Sequence, residues 1–298
     1  MPAAQKKMTK GSLVTVEVPE REASTTNDGA GRRLRFVSIP RGRRVWEPTA
    51  LVAGLLAFWE YASWSGLASK GILPPPSEVV PALGELVSKD FFFVHFNATV
   101  YEIGVGYLAA SLLGCGVAII LSFSHFLRRA VNPVVVALNV VPRVALIPLI
   151  IIWFGVHETG KVVVVIIIAF FPIFLNSLNG LTEIDKEGQN LLDSLGATAY
   201  QRFRFHALPS AMPAIFAGLR VGMTLAFIGA IVAEMLTPSK GLGYLLLTFK
   251  SQLQVDLMFA ITVLLGSMGS AIFFGMEALE GRIVFWREPE SESEVSTL

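Results

Sequence analysis

Long apolar runs separated by short polar segments are the dominant pattern along this chain of 298 residues. Six runs, at residues 49–68, 99–123, 133–154, 161–181, 212–236 and 257–279, predict membrane spans, because a helix needs about 20 apolar residues to cross a bilayer. The fourth run contains VVVVIIIAFFPIF, whose β-branched residues would favour a buried strand in water. In lipid the backbone must satisfy its own hydrogen bonds, so we predict a helix.

The composition supports a membrane protein. Hydrophobic residues make up 53% of the chain, charged residues 16%, and the mean hydropathy is +0.60, whereas soluble domains carry about 25% charged residues. The predicted fold class is therefore an all-α integral membrane protein with about six transmembrane helices. Prolines at positions 142, 148 and 172 fall within the third and fourth spans, where they predict kinks or local unwinding beside other helices or a cavity.

The polar ends of the chain predict two tails around a membrane domain. Residues 1–48 are rich in Ser, Thr, Gly and Arg and show no cleavable secretory signal, so we predict a largely disordered, basic, cytoplasmic tail. The membrane domain is predicted at 49–281 and a cytoplasmic C-terminal tail at 282–298. Six arginines crowd the end of the first tail, and they fit either nucleic-acid binding or a cytoplasmic anchor: Arg32, Arg33, Arg35, Arg41, Arg43 and Arg44. The adjoining span favours the anchor, so no nucleic-acid partner is expected.

The basic residues between the spans predict the orientation. With the N-terminus inside, cytoplasmic connections hold seven basic residues and the opposite side holds five, and the six arginines raise the cytoplasmic count to thirteen. Both termini are therefore predicted in the cytoplasm. The cytoplasmic set is Arg128, Arg129, Lys186, Arg202, Arg204, Arg282 and Arg287, and the opposite set is Lys70, Lys89, Lys161, Lys240 and Lys250.

One stretch, GVHETGKV at residues 155–162, nearly matches a phosphate-binding loop. Such a loop needs a hydroxyl residue for Mg²⁺ after its Lys and must join a strand to a helix. Here Val162 follows Lys161, and the stretch lies between two predicted spans. We predict a short non-cytoplasmic turn over residues 155–161, with no ATP site and no cofactor in this chain.

Other catalytic patterns are absent from the sequence. The four histidines are scattered without a second His or Cys at metal-ligand spacing, and no G-x-S-x-G motif occurs. The single cysteine, Cys115, lies inside an apolar run and cannot form an intrachain disulfide. We therefore predict neither a catalytic nor a metal site, and a non-enzymatic chain.

The longest predicted cytoplasmic connection, residues 182–211, carries a helical apolar pattern with a central break. Leu191, Leu192 and Leu195 form a short apolar face, and Gly196 interrupts it. The pattern predicts two short helices that meet near this glycine. Such a unit fits either a groove on a partner protein or the membrane surface, and composition leaves both open. The segment continues with Tyr200, Phe203 and Phe205 and closes at Pro209.

This connection resembles the signature loop of bacterial ABC-importer permeases, E-A-A-x-x-x-G-x9-I-x-L-P. The matching stretch is LGATAYQRFRFHALPSAMPAIFAGLRVGM, in which Gly196, Leu208 and Pro209 keep the spacing. The sequence departs from the motif at Asn190-Leu191-Leu192 for E-A-A and at His206 for I. On the matching positions, the resemblance implies these ATPase-docking residues of a coupling helix: Asn190, Leu191, Leu192, Asp193, Leu195, Gly196, Ala197, Thr198, Tyr200, Leu208 and Pro209.

The resemblance extends over about residues 70–285, through LPPPSEVV, VALIPLIIIWFGVHETGKV, FFPIFLNSLNGL and GLGYLLL. These stretches are similar to permeases of the nitrate, sulfonate and taurine type and to their riboflavin- and pyrimidine-precursor-type relatives. The resemblance implies a MetI-like type I importer fold in a bacterial inner membrane. It also implies a second permease copy, two ATP-binding subunits that carry ATP and Mg²⁺, and an extracytoplasmic solute-binding protein. The solute stays open.

Small residues recur every fourth position along the fifth span and predict a ridge for close helix packing or gating: Gly218, Gly222, Ala226 and Ala230. Glu234 continues this ridge, and Glu60 lies inside the first span. Intramembrane carboxylates indicate function, so both are candidates for the pathway or a gate. For Glu102, Glu234 and Glu277, near span ends, a hydrated structural role is the favoured interpretation.

Two alternatives need no ATPase partner. The chain could be a secondary transporter, although paired broken helices in inverted repeats are not evident. It could also be a membrane scaffold. Co-purification with an ATPase and nucleotide-stimulated uptake distinguish the three.

Overall fold

The computed structural model of the protein describes residues 46–66 and 71–286. The predicted N-terminal tail with its arginine cluster lies outside the described residues, except for its last three positions, and so does the C-terminal tail beyond residue 286. Residues from 50 onward form one compact unit. Of the unit before it, the structure describes only residues 46–49, which begin a helix.

The described residues form helices joined by short turns, and none of them lies in a strand. The helices are α1 (Trp46–Trp64), α2 (Pro76–Val87), α3 (Asp90–Ser122), α4 (His125–Val140), α5 (Ile147–Phe154), α6 (Glu158–Thr182), α7 (Lys186–Ser194), α8 (Ala199–Arg202), α9 (Leu208–Leu236), α10 (Leu242–Ser251) and α11 (Val255–Ile283). A 3-10 turn (Arg143–Leu146) precedes α5, and a π-helical turn (Phe203–Ala207) joins α8 to α9.

Four helical segments of the described chain are long and apolar enough to cross a membrane: Asp90–Ser122, Glu158–Thr182, Ala199–Leu236 and Val255–Ile283. They match the second, fourth, fifth and sixth predicted spans, and they confirm the all-α membrane class. The third of these segments includes α8 and the π-helical turn as well as α9. The first predicted span is the 19-residue helix α1, which is not one of the four.

The third predicted span, residues 133–154, is interrupted rather than continuous. Helix α4 ends at Val140, and the chain bends at residues 141–142 before the 3-10 turn and α5. Pro142 explains the break, because proline has no N–H to donate and restricts the residue before it. Pro148 is tolerated at the start of α5, where the N–H has no helical partner. Helix α6 passes through Pro172 without interruption.

Helix α6 forms the centre of the bundle, packed between α3 and α9. Its residues Val165, Ala169 and Ile173 are fully buried with Ala226 and Ala230 of α9. Small side chains on the flanking helices let the backbones come close, which strengthens van der Waals packing where lipid offers no hydrophobic driving force. Helices α3, α6 and α9 therefore form the rigid frame on which the other elements are placed.

Shorter helices pack at the periphery of this frame. Helix α10 packs against α9 and α11 through Leu242, Leu245 and Phe249, all buried. Helix α2 packs on α11, and Trp59 of α1 lies 5.9 Å from Phe259 of α11 between ring centroids. The segments α7 and α8 precede the N-terminus of α9, whereas α10 follows its C-terminus, so they mark opposite ends of this 29-residue helix.

Candidate functional site

Helix α7 is short and begins at a strong N-cap. The Asp185 carboxylate accepts the backbone N–H groups of Glu187 and Gly188, both at 3.1 Å. These N–H groups have no helical partner of their own, and they favour the charged carboxylate. They lower the pKa of Asp185 below its ordinary value, so the cap stays ionised at neutral pH. The cap fixes the start of a nine-residue helix that would be marginal alone.

The turn after α7 is built on Gly196, as the sequence predicts. Its φ of +73° lies in the left-handed region, where a side chain is strained. The Ala197 N–H donates to the Leu192 carbonyl and the Gly196 N–H to the Asp193 carbonyl, each at 3.0 Å. This pair of bonds is the Schellman motif that ends many helices. The prediction of two short helices meeting near this glycine is confirmed.

Helix α8 starts at Ala199, three residues after Gly196, and has its own N-cap, Thr198. Thr198 Oγ1 accepts the Gln201 N–H at 3.3 Å, and the Gln201 side chain accepts the Thr198 N–H at 2.8 Å. This reciprocal arrangement is a capping box. Arg202 of α8 forms an ion pair with Asp193 of α7. The two helices are thus tied together by backbone and side chains into one unit, residues 185–202, which we call the α7–α8 unit.

The outer surface of the α7–α8 unit is apolar and exposed. Leu191, Leu195 and Tyr200 are 61%, 73% and 71% exposed. Large exposed apolar side chains within one capped unit are typical of an interaction surface. The other exposed members of the predicted docking set are polar or small: Asn190, Asp193, Gly196 and Thr198.

The remaining members of the predicted set are half-buried. Leu192 and Ala197 carry the backbone bond of the Schellman turn. Leu208 and Pro209 form the first turn of α9, and Leu208 packs against the buried cluster that contains Leu181 and Ala211. These four residues therefore support the exposed residues and connect the α7–α8 unit to α9, while docking of a partner on the exposed residues stays a prediction.

The small-residue ridge of α9 lies against α6. A Cβ atom added at Gly222 would lie 2.5 Å from Ile173 Cγ1, and one added at Gly218 would lie 2.7 Å from Asn176 Cβ. Real Cβ atoms do not come this close, so any larger residue requires the facing side chains or the helix backbones to shift. Ala226 and Ala230 are completely buried in the same contact. The ridge thus fixes the distance between α6 and α9, while its role as a gate stays a prediction.

The two candidate carboxylates have different surroundings. Glu60 of α1 is half-buried and accepts the Ser77 hydroxyl at 2.7 Å and the Ser77 N–H at 3.1 Å. It thereby caps α2 from the neighbouring helix. Glu234 is fully buried and accepts the Thr99 hydroxyl at 2.6 Å and the Gly243 N–H at 2.7 Å, which holds the start of α10. Both carboxylates therefore stabilise the start of a neighbouring helix. Their role in a pathway or gate stays a prediction.

A buried charge cluster lies beside Glu234, and the sequence analysis missed it. Lys161 Nζ lies 2.5 Å from Glu102 Oε1, and both side chains have zero exposure. The Lys161 ammonium also donates to the Lys240 carbonyl at 2.6 Å. Helices α3, α6 and α9 and the turn before α10 are thus joined at one end of the bundle through three ionisable side chains.

Two sequence interpretations are corrected by this cluster. The turn in GVHETGKV covers residues 155–157 only, because α6 begins at Glu158, and Lys161 lies in its first turn. The orientation count treated Lys161 as a loop charge, and this was wrong, because Lys161 lies inside a helix. Glu102 and Glu234 are fully buried rather than hydrated. Opposite charges near the ends of neighbouring spans were the available signal, since buried charges must be paired.

The sequence of this bundle matches a known family of membrane proteins. Residues 106–285, more than half of the chain, match the family model of the binding-protein-dependent transport system inner membrane component. The chain belongs to this family. Within it, the matched segment of this permease covers about half of α3 and nearly everything described after it, including the α7–α8 unit and the ridge. Of the charge cluster it includes Lys161 and Glu234 but not Glu102.

Individual relatives cover most of this permease. A formylaminopyrimidine transport permease protein from Halalkalibacterium halodurans is 32% identical over 252 residues, 85% of this chain and 100% of the relative. A putative aliphatic sulfonates transport permease protein from Bacillus subtilis is 29% identical and covers 80% of this chain and 86% of its own. The taurine transport system permease protein of Escherichia coli is 29% identical, over 86% of this chain and 94% of its own.

A second ion pair of this permease also escaped the sequence analysis. Arg220 of α9 pairs with Glu280 of α11, and its guanidinium lies 5.7 Å from the Phe273 ring. It joins α9 to α11 on the half of α9 nearer the α7–α8 unit. Within residues 46–66 and 71–286, no three His, Cys, Asp or Glu side chains come together as a group that could hold a metal ion.

Proposed function

We propose that this chain is the permease subunit of an ATP-driven importer, and that a separate ATP-binding subunit docks on the α7–α8 unit. The single observation that carries the docking proposal is the exposure of Leu191, Leu195 and Tyr200 on a frame fixed by two caps and a Schellman turn. ATP and Mg²⁺ belong to the partner subunit. The permease family, in which transport depends on a binding protein, supports the assignment.

The connection from docking to transport runs through α9. Helix α8, the π-helical turn and α9 follow one another without a gap, so a displacement of the α7–α8 unit is transmitted to the long helix. The ridge prevents α9 from sliding freely on α6 because Gly218 and Gly222 leave no spare space. Helices α6 and α9 therefore move together. ATP-dependent closure of the partner would shift the balance between inward- and outward-facing states, as rigid-body transitions do.

The assembly follows from the same proposal. Two copies of this chain form the pathway, two ATP-binding subunits lie on the cytoplasmic side, and a solute-binding protein delivers a small solute outside. The α7–α8 unit and both termini are cytoplasmic, and the turn at residues 155–157 is outside, in a bacterial inner membrane. The names of the relatives, which mention formylaminopyrimidine, aliphatic sulfonates and taurine, support a small polar solute of this kind.

Affinity purification tests the docking surface. We expect the tagged chain, purified from native membranes, to carry an ATP-hydrolysing protein, and Leu195→Asp combined with Tyr200→Asp to reduce that protein at least fivefold. Leu253→Asp is the control, because Leu253 is a highly exposed leucine (85%) in the turn between α10 and α11, away from the α7–α8 unit in sequence. The ratio of the two proteins is measured at equal membrane levels of the permease.

Two results would count against the proposal. If the wild-type chain purifies without an ATP-hydrolysing protein but still takes up solute, the chain is a secondary transporter. If the double variant keeps its ATPase, docking occurs elsewhere, and the α7–α8 unit lies on the membrane surface instead. A reduction by Leu253→Asp equal to that of the double variant would show a general loss of folding.

A further inference from the structure

The α7–α8 unit is attached to the frame of α3, α6 and α9 at two points. Helix α6 ends at Thr182 and leads into α7, and the π-helical turn (Phe203–Ala207) leads into α9. These two connections form the base of the unit. A partner that pulls on the exposed surface of the unit moves α6 and α9 only if this base is held together, because the unit otherwise rotates about its two connections.

The imidazole of His206 crosses this base. His206 belongs to the π-helical turn, and its ring lies on the backbone of Gly188 in the first turn of α7, where an added Cβ atom would be 2.8 Å from Nε2. The same nitrogen is 3.2 Å from the carbonyl oxygen of Asp185, the N-cap of α7. Because a carbonyl oxygen only accepts, the tautomer with its proton on Nε2 donates this hydrogen bond. The missing side chain at Gly188 makes room for the ring.

The π-helical turn that carries His206 is also anchored to the frame. The ring of Phe203 packs on that of Phe123 at the end of α3, with 5.0 Å between centroids. It also packs against the buried cluster that contains Leu181 and Ala211. Turns of this type are rare, and they often occur at functional sites. Here one turn contacts the frame through Phe203 and α7 through His206, so it links the two.

The ion pair between Asp193 and Arg202 does not hold the base. It joins α7 to α8 inside the unit, so it leaves the connections to α6 and α9 free to bend. Its side chains are 49% and 41% exposed, respectively, and water screens exposed ion pairs so that they contribute little. The contact of His206 with α7 lies instead between the two connections.

We propose that His206 is the positioning residue that holds the base of the α7–α8 unit together, so that movement of a docked ATP-binding subunit reaches α6 and α9. The inference rests on the proposed function, since it concerns the motion of that subunit. The exposed surface then decides whether the partner binds, whereas His206 decides whether its motion is transmitted. His206 replaces the isoleucine of the signature motif, so the resemblance does not imply this role.

Distances between the two copies of the chain test this separation, with ATP and orthovanadate as the probe and without knowledge of the solute. The complex with its ATPase, in nanodiscs, carries Cys115→Ala and one spin-labelled cysteine per chain. The label is placed either at Glu187→Cys on α7 or at Leu236→Cys at the far end of α9, both exposed positions. Double electron–electron resonance measures the distance between the two labels with and without nucleotide. With His206 present, we expect both distances to change.

Removing the imidazole should separate the responses of the two labels. In His206→Ala the nucleotide-dependent change at Glu187→Cys should persist. The change at Leu236→Cys should fall at least about twofold, because the unit then no longer moves with α9 as one rigid body. The ATPase-to-permease ratio after purification should stay within about twofold of wild type, since the exposed surface is intact.

Three further variants distinguish this role from a general effect on folding. Gly188→Ala places a Cβ atom where the ring lies, so it should displace the imidazole and act like His206→Ala. His206→Gln keeps an N–H donor for the Asp185 carbonyl and should restore the change at the α9 label. Arg204→Ala is the control, because Arg204 is exposed in the same turn, and it should leave both distances as in wild type.

Two outcomes with His206→Ala would overturn the inference. If the nucleotide-dependent change at Leu236→Cys stays intact, the motion reaches α9 without the imidazole. If both labels lose their response or the ATPase is lost, His206 shapes the docking surface rather than transmitting motion. Absence of an ATPase from the wild-type complex would instead overturn the proposed function, and this inference with it.

Discussion

Lys161 of α6 and Glu102 of α3 form an ion pair at one end of the bundle, with 2.5 Å between Nζ and Oε1 and no exposure of either side chain. A buried ion pair is weak evidence for stability in itself, but removing one partner leaves an uncompensated charge. Because Lys161 also holds the Lys240 carbonyl, the pair connects α3 and α6 to the turn before α10.

Removing the ammonium should therefore destabilise the permease. Lys161→Met leaves Glu102 buried beside Glu234, and we expect a loss of about 3–5 kcal/mol, seen as a lower melting temperature in detergent by fluorescence-detected size-exclusion chromatography. Adding Glu102→Gln removes the second charge and should recover part of the loss. Lys250→Met, at an exposed lysine, is the control. Equal melting temperatures for Lys161→Met and wild type would contradict a structural role of the pair.

The outcome at Lys161 illustrates what the sequence could predict. Apolar run length located α3, α6, α9 and α11 because the bilayer fixes how long a spanning helix must be. The Gly196 turn was predictable because a single glycine interrupts a helical apolar pattern. The partners of Lys161 were not, because Glu102 and Lys240 are 59 and 79 residues away in sequence, and only the packing of α3 and α9 on α6 brings them together. The pairing of Arg220 with Glu280 escaped for the same reason.

The Gly196 turn gives a sharp test of the docking unit. Gly196→Val should abolish the left-handed turn, since β-branched residues are strongly disfavoured at a φ of +73°. No atom lies within 4 Å of a Cβ placed there, so the effect comes from the backbone and not from a clash within this chain. We expect normal insertion, at least a fivefold lower ATPase-to-permease ratio after purification, and lower uptake.

Gly196→Asn is the matched control, because asparagine tolerates the left-handed region. It should keep the ratio within about twofold of wild type. Asn190→Glu, which restores the residue of the signature motif, should leave the association unchanged or slightly stronger. If Gly196→Val binds the ATPase and transports normally, the α7–α8 unit does not transmit the nucleotide cycle.

The contact between Gly222 of α9 and Ile173 of α6 predicts a compensating pair. Gly222→Ala places a Cβ 2.5 Å from Ile173 Cγ1 and 2.7 Å from its Cδ1, so the Ile173 side chain or the helix backbones must shift, and we expect a lower melting temperature. Ile173→Ala removes those atoms. The melting temperature of the double variant should therefore fall by less than the sum of the decreases in the two single variants. Gly116→Ala, where α3 has open space, should be neutral. Strict additivity in the double variant would show that the close approach does not determine packing.

The orientation of the bundle can be read from two introduced cysteines, in a chain whose native Cys115 is replaced by alanine. Thr159 is exposed beside the turn before α6, and Tyr200 is 71% exposed on α8, at the two ends of the helical frame. If the basic residues set the topology as they do in other membrane proteins, Thr159→Cys should react with a membrane-impermeant maleimide in intact cells, and Tyr200→Cys only after permeabilisation.

Weak labelling of Tyr200→Cys that rises when the ATPase is stripped away would add evidence for docking, because the bound partner shields the site. The reverse pattern would place the α7–α8 unit outside the cell, where no ATP-hydrolysing subunit could reach it.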